Sequence, residues 1–350
     1  MRRAMLAFAA MVLGCGGTGS HHDPMMEHLE PSRVLLTQAR FTPAPERPSW
    51  LGGFSEDDFW FAPFTGGVLR SQKQGLPARV DELEQAHVGG PLTAPGFLPS
   101  GDAFFTVLGA QGSKLVHWKD GQVDDETAAL VGSPAAFDRI AAAHLTPSGE
   151  YVVLVRDASN LRHVTFFSWS GDHFAAGPSF DVPADLVTVQ MAPVSSHEAM
   201  VIGADQNGLY RIARFDGTTL SAAIPAPGQL SGPFLPTGAD AGFISAGGMS
   251  FWNGTALMSV PPPPVSPVYL AFDPDGLASI DSDGSPTGYA NPRIVLQHAA
   301  HAATRYATGD ESTASSRHWL AAGVVGSSLL VMLNGNGAAE PSVVAVTLGP

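Results

Sequence analysis

The chain has 350 residues, 44% hydrophobic and 14% charged, with 39 Gly, 29 Pro, a single Cys and a net charge of -14. That length holds one large domain or two ordinary ones; the apolar fraction excludes general disorder, and the aperiodic Gly and Pro exclude collagen. One Cys excludes a disulfide framework and a Cys-rich zinc site, and the acidic balance excludes a basic phosphate-reading surface, so no nucleic acid is expected as a partner.

The first element reads as an export signal. Arg2 and Arg3 are followed by an uncharged apolar run from Ala4 to Leu13, too short to span a bilayer and of the right length for a signal-peptide core. The run ends at Val12-Leu13-Gly14-Cys15. This stretch resembles the lipobox of bacterial lipoproteins, with a branched apolar residue (Val12), a small residue (Gly14) and then Cys. The resemblance implies cleavage before Cys15, diacylglycerol on its sulfur and a further acyl chain, such as palmitate, on the new amino terminus. Several acyl chains hold a protein stably on a membrane. The alternative is an ordinary signal peptide in which Cys15 is incidental. Residues 1–14 are thus expected to be a lipoprotein signal peptide and 15–32 a flexible tether, with 33–350 one domain. His21, His22 and His28 fall in the tether and are read as solvated polar residues rather than a metal-binding tail. The expected address is the bacterial cell envelope, outer membrane rather than inner, with the soluble domain periplasmic or surface-exposed.

Self-similarity dominates the rest. A first motif pairs a polar turn with a short apolar strand at 54–63, 97–109, 144–156, 190–203, 234–248 and 271–281, with a weaker copy at 313–326. The turn prolines Pro99, Pro147, Pro193, Pro236 and Pro274 are 48, 46, 43 and 38 residues apart. A second motif follows at 114–123, 164–174, 209–220 and 249–257, with a looser copy at 328–337. Each is a strand ending in a turn that carries Gly121, Gly171, Gly217, Gly254 or Gly335. Asp-Gly and Asn-Gly are hairpin signals, because both central residues need positive φ. Trp118, Trp169, Phe215 and Trp252 stand just before these turns. They are read as groups packing one repeat on the next rather than as a sugar platform.

A period near 43 residues with several short strands per copy is what a β-propeller requires, since each four-stranded blade needs neighbours on both faces. The expected fold is all-β: a propeller of seven four-stranded blades, with six or eight as alternatives. The turns PSGD, PSGE and DPDG resemble those of TolB-like bacterial propellers, and of WD-type repeats more distantly, which implies a fold and no activity. Closure predicts that the strand candidate 33–41 pairs into the last blade or lies beside the strand candidate 342–348.

Two segments depart from the repeat. Pro261 to Pro264 is expected as an extended connector. Residues 282–316 are read as a long insertion on one face, with His298 and His301 on a surface helix. Trp319 to Leu333 fits two strands joined by a Gly-Ser turn. The carboxylates Asp273, Asp275, Asp281 and Asp283 are read as turn residues rather than a calcium site, since EF-hand spacing is absent. No nucleophile elbow, HExxH, P-loop or sialidase box appears, so no catalytic residue, metal or cofactor is assigned; Cys15 is the one assigned site. The expected function is a membrane-anchored binding scaffold for an envelope protein or polymer. The alternative is a secreted propeller hydrolase or lyase acting on an extracellular polymer. That alternative predicts several ionisable groups converging on one mouth of the channel.

Overall fold

Tight hairpins are the local unit. In a computed structural model of the chain, Asp120 (φ 49°) and Gly121 (φ 83°) both take positive φ and set Lys119 opposite Gln122, as the Asp-Gly pair dictates. The structure describes residues 26–28, 33–37, 48–63, 67–72, 78–86, 92–107, 114–132, 139–225, 230–238, 241–246, 249–253, 257–260, 268–273, 276–281, 293–298, 304–307, 319–326, 328–333 and 342–347.

Two strands come first, β1 (Met26–His28) and β2 (Arg33–Thr37). The first sheet is β3 (Pro48–Ser55), β4 (Asp58–Pro63), β5 (Leu69–Gln72) and β6 (Ala78–Arg79), followed by the short helix α1 (Asp81–Ala86). The second is β7 (Leu92–Phe97), β8 (Ala103–Val107), β9 (Lys114–Lys119) and β10 (Gln122–Asp125), followed by α2 (Thr127–Val131). The third is β11 (Ile140–Leu145), β12 (Tyr151–Arg156), β13 (His163–Trp169) and β14 (Phe174–Asp181). The fourth is β15 (Leu186–Pro193), β16 (Ala199–Asp205), β17 (Tyr210–Phe215) and β18 (Ile224–Pro225). The fifth is β19 (Leu230–Gly238), β20 (Ala241–Ala246), β21 (Met249–Trp252) and β22 (Leu257–Val260). The sixth is β23 (Val268–Asp273), β24 (Gly276–Asp281), β25 (Arg293–His298) and β26 (Thr304–Ala307). The seventh is β27 (Trp319–Val325), β28 (Ser328–Leu333) and β29 (Ser342–Thr347).

The sheets are antiparallel meanders, and the first strand of each lies against the first strand of the next, β27 returning to β3. The fold is a β-propeller. The second strands β4, β8, β12, β16 and β28 are buried on both faces, which is why they read as apolar runs. Along β12, Tyr151, Val153 and Val155 pack with Phe104 and Leu115 of the second sheet. Val152 and Leu154 pack on the other side with Met191 and Val201 of the fourth. The seventh and first sheets share Leu330, Met332 and Val343 with Phe59 and Phe61. Ser328 also donates to Glu56 across that joint.

The amino-terminal strand closes the ring. β2 pairs antiparallel with β29, Val34 opposite Val344, and becomes the outer strand of the seventh sheet. β1 adds a fifth, parallel strand to β26, with Glu27 opposite Tyr306. Three residues of the expected tether, His28 among them, are therefore strand.

Two readings of the repeat are corrected. Residues 282–316 are not one insertion, because they contain β25 and β26, the third and fourth strands of the sixth sheet. His298 ends a strand opposite Gly276 rather than sitting on a helix; His301 lies outside the described residues. The last copy is also displaced by one strand: Trp319–Val325 is a first strand, and Ser328–Leu333 is a second strand, not a third. The Gly-Ser junction supplies that turn through Gly326, at φ 57°. The signal segment, Cys15, His21, His22, Pro261 to Pro264, Pro274, Asp275 and Asp283 lie outside the described residues.

Candidate functional site

The aromatics before three of these hairpin turns pack backwards onto the preceding sheet. Trp118 meets Trp60 edge-on at 4.9 Å, Trp169 lies 5.1 Å from Phe104, and Phe215 stacks 4.8 Å from Phe180. Aromatic pairs prefer such geometries. The indole N–H groups of Trp118, Trp169 and Trp252 are buried without a hydrogen-bond partner among the described residues. Three equivalent positions share this, so it belongs to repeat packing and marks no ligand.

A carboxylate recurs at the head of the second strand: Asp58, Asp102, Glu150 and Glu198. Each is held by neighbours that the hairpins bring to it. Arg70 donates to Asp58 through Nε at 2.7 Å and Nη2 at 2.5 Å. Arg214 donates to Glu198 at 2.6 Å, and the Ser196 N–H of the next sheet donates to Glu150 at 3.0 Å. Asp102, with no exposed surface, accepts from His117 Nε2 at 2.7 Å, Ser100 at 2.5 Å and Lys119 at 3.2 Å. Burial works against the Asp102 carboxylate, but these bonds outweigh it and leave its pKa below the ordinary value. His117 is stacked 4.7 Å from Phe104 and packed 4.5 Å from Trp169. It has the composition of a catalytic dyad with Asp102 but is sealed in the wall between sheets, where it holds the hairpin. Glu126, 3.8 Å from His117, has its pKa raised chiefly by burial.

Between the first and second sheets the wall opens into a cleft of about 800 Å³. It lies on the face carrying the turns between first and second, and third and fourth, strands. Phe54 and Trp118 supply apolar wall, while Arg79, Glu82 and Asp120 stand exposed around it. Gly101 and Gly121 leave the rim open: a Cβ at Gly101 would meet nothing within 4 Å. Arg70 forms the back, its guanidinium 5.0 Å from the ring centres of both Trp60 and Trp118 and forked onto Asp58. The pair is geometrically fixed, because the planar fork matches the carboxylate while both rings pack against the guanidinium.

The opposite mouth of the ring is built differently. In six of the seven sheets the first strand slips register near its start, between Pro48 and Trp50, Thr93 and Gly96, Ile140 and Ala142, Leu186 and Thr188, Leu230 and Phe234, and Trp319 and Ala321. The residues inside these slips are Ser, Ala, Pro, Gly, Val and Leu. Bulges redirect side chains, and Val187 in one of them is 59% exposed.

Sequence reasoning found the turns and packing aromatics but assigned neither Asp58, Arg70 nor the cleft. A carboxylate following the turn in four successive copies was a readable signal. Of the candidate carboxylates, Asp273 and Asp281 sit at the ends of β23 and β24. Among the described residues no group of three His, Cys, Asp or Glu is placed to hold a metal, and no helix is long and apolar enough to cross a membrane.

No protein-family model and no curated protein matches the chain. Solved structures do. The β-propeller domain of the Trilobed protease from Pyrococcus furiosus, which has an open velcro topology, is similar with a TM-score of 0.54 at 6% identity, over 87% of this chain and 97% of that one. YCF48 from Cyanidioschyzon merolae is similar with a TM-score of 0.50 at 12% identity, over 88% and 98%. Likeness at such identities speaks for the fold alone, and on that ground the chain is a β-propeller.

Proposed function

We propose that the protein is a lipid-anchored component of the bacterial cell envelope whose propeller binds a protein or polymer partner without chemical turnover. The observation that carries the binding reading is the cleft between the first and second sheets. Its back wall is pre-set by the Asp58–Arg70 fork and two tryptophans, and pre-set surfaces bind with less ordering cost. The Val12-Leu13-Gly14-Cys15 sequence supports the anchor, and the acidic balance supports a partner other than nucleic acid.

The test is palmitate labelling and cross-linking in intact cells, for the native protein, Cys15→Ser and Asp120→Arg. Label on the native protein and none on Cys15→Ser is expected, with one envelope partner whose cross-link is lost in Asp120→Arg. An unlabelled native protein would refute the anchor. Turnover of an envelope polymer by the purified protein would refute the scaffold reading in favour of the hydrolase or lyase.

A further inference from the structure

We propose that the cleft between the first and second sheets is a saccharide site, taking an uncharged sugar unit of an envelope or extracellular glycan. The proposal rests on the scaffold reading and names the ligand class of its cleft. A pyranose offers an apolar C–H face, and its hydroxyls both donate and accept. It is matched by aromatic wall and by planar polar groups of both kinds. Phe54, half-buried, supplies the wall, with Trp118 buried behind it under Arg70. Glu82 and Asp120 supply acceptors across the opening, where a Cβ on Gly121 would lie 3.8 Å from Glu82 Oε1. Arg79 supplies donors from β6.

Charge argues against an ionic ligand. Asp58 and Arg70 neutralise each other at the back, leaving carboxylates and a guanidinium mixed around the opening rather than one sign facing an ion. The volume lies in the upper part of the range for small-molecule sites, about 300–1,000 Å³. The glycine turns at Gly101 and Gly121 leave the cleft unroofed, so a sugar inside a longer chain can enter without a free end. A peptide segment is the competing occupant, and its ionic contacts would weaken with salt.

The experiment is saturation-transfer NMR and titration on the full-length protein in a detergent without a sugar headgroup. The probes are the methyl glycosides of glucose, galactose, mannose and fucose, N-acetylglucosamine, and the peptide Gly-Lys-Leu-Lys. At least one saccharide is expected to bind, with affinity unchanged by added NaCl. Either Glu82→Ala or Asp120→Asn should weaken it about tenfold, the size of one or two lost hydrogen bonds. Asn suits position 120 because the backbone there has positive φ. Circular dichroism of both variants separates lost binding from lost folding. No binding by any saccharide, or binding undiminished in both folded variants, overturns the proposal. So does peptide binding that falls with salt while the sugars fail. None of these outcomes touches the scaffold reading, which the cellular cross-link tests separately.

Discussion

Gly323 lies in β27 where the ring closes on β3, and a Cβ there would sit 2.0 Å from the Leu51 carbonyl oxygen and 2.8 Å from its carbon. Gly323→Ala therefore forces the seventh and first sheets apart by about 1 Å, and both sides of the clash are backbone that cannot rotate away. Overpacking by a flexible side chain costs about 1–3 kcal/mol, so a rigid clash is expected to cost about 3 kcal/mol or more. Gly326, three residues on, has φ 57° and open space around its Cβ position. Gly326→Ala meets only backbone strain, about 1 kcal/mol. The assay is urea unfolding followed by tryptophan fluorescence and far-UV circular dichroism. With a slope of about 3 kcal/mol per M, Gly323→Ala should lower the midpoint by about 1 M and Gly326→Ala by a third of that. Equal midpoints, or a larger loss at Gly326, would refute the account of closure by backbone contact.

Arg70→Met should destabilise by about 2 kcal/mol, since it leaves the part-buried Asp58 without its fork and removes the cation from two tryptophan faces. The double variant with Asp58→Asn should lose less than the two singles together, and additive losses would refute coupling. Acid should unfold the protein through Asp102, Asp125, Asp205 and Asp216. All four have folded pKa values below the ordinary one, where backbone and side-chain hydrogen bonds outweigh burial, as at the Asp216 turn closed by the Thr218 and Thr219 N–H groups. Their contribution is complete above the unfolded value, about pH 4, and is lost as pH falls towards the folded values. Glu126, raised, acts with the opposite sign. A Tm that holds to about pH 4 and then falls is expected, and a Tm that rises below pH 4 would overturn the assignment. Deleting residues 1–37 removes both β1 and β2 and leaves β29 as an open edge, so a lower Tm and self-association by light scattering are expected; an unchanged monomer would contradict closure by β2.

The fold was legible where chemistry is local. Gly121, Gly171 and Gly217 take positive φ at matching places, although Asp216, unlike Asp120, does not, and Trp118, Trp169 and Phe215 mark the strand before the turn, so the blades from the second to the fourth could be counted from the sequence. Legibility failed where that chemistry is missing. β25 and β26 are six and four residues long, and no Asp-Gly turn joins them, so they read as loop. The seventh sheet slipped by one strand because Gly326 turns without Pro or Asp before it. The cleft was hidden for another reason. Arg70 and Trp118 are far apart in the chain and meet only because neighbouring sheets stack, and nothing in LRSQ marks its arginine as the one packed against two indoles.

The pairing of β2 with β29 also sets an order of events. A chain emerges amino terminus first, so β2 is among the first strands made and the last to find its partner, which arrives only when residues 342–347 do. Every intermediate length is an open ring with an unpaired edge, and contacts of such long sequence separation are slow to form. Synthesis of residues 342–347 and locking of the ring are thereby linked. A chain stopped anywhere before residue 342 leaves β2 without its partner strand and the ring unclosed.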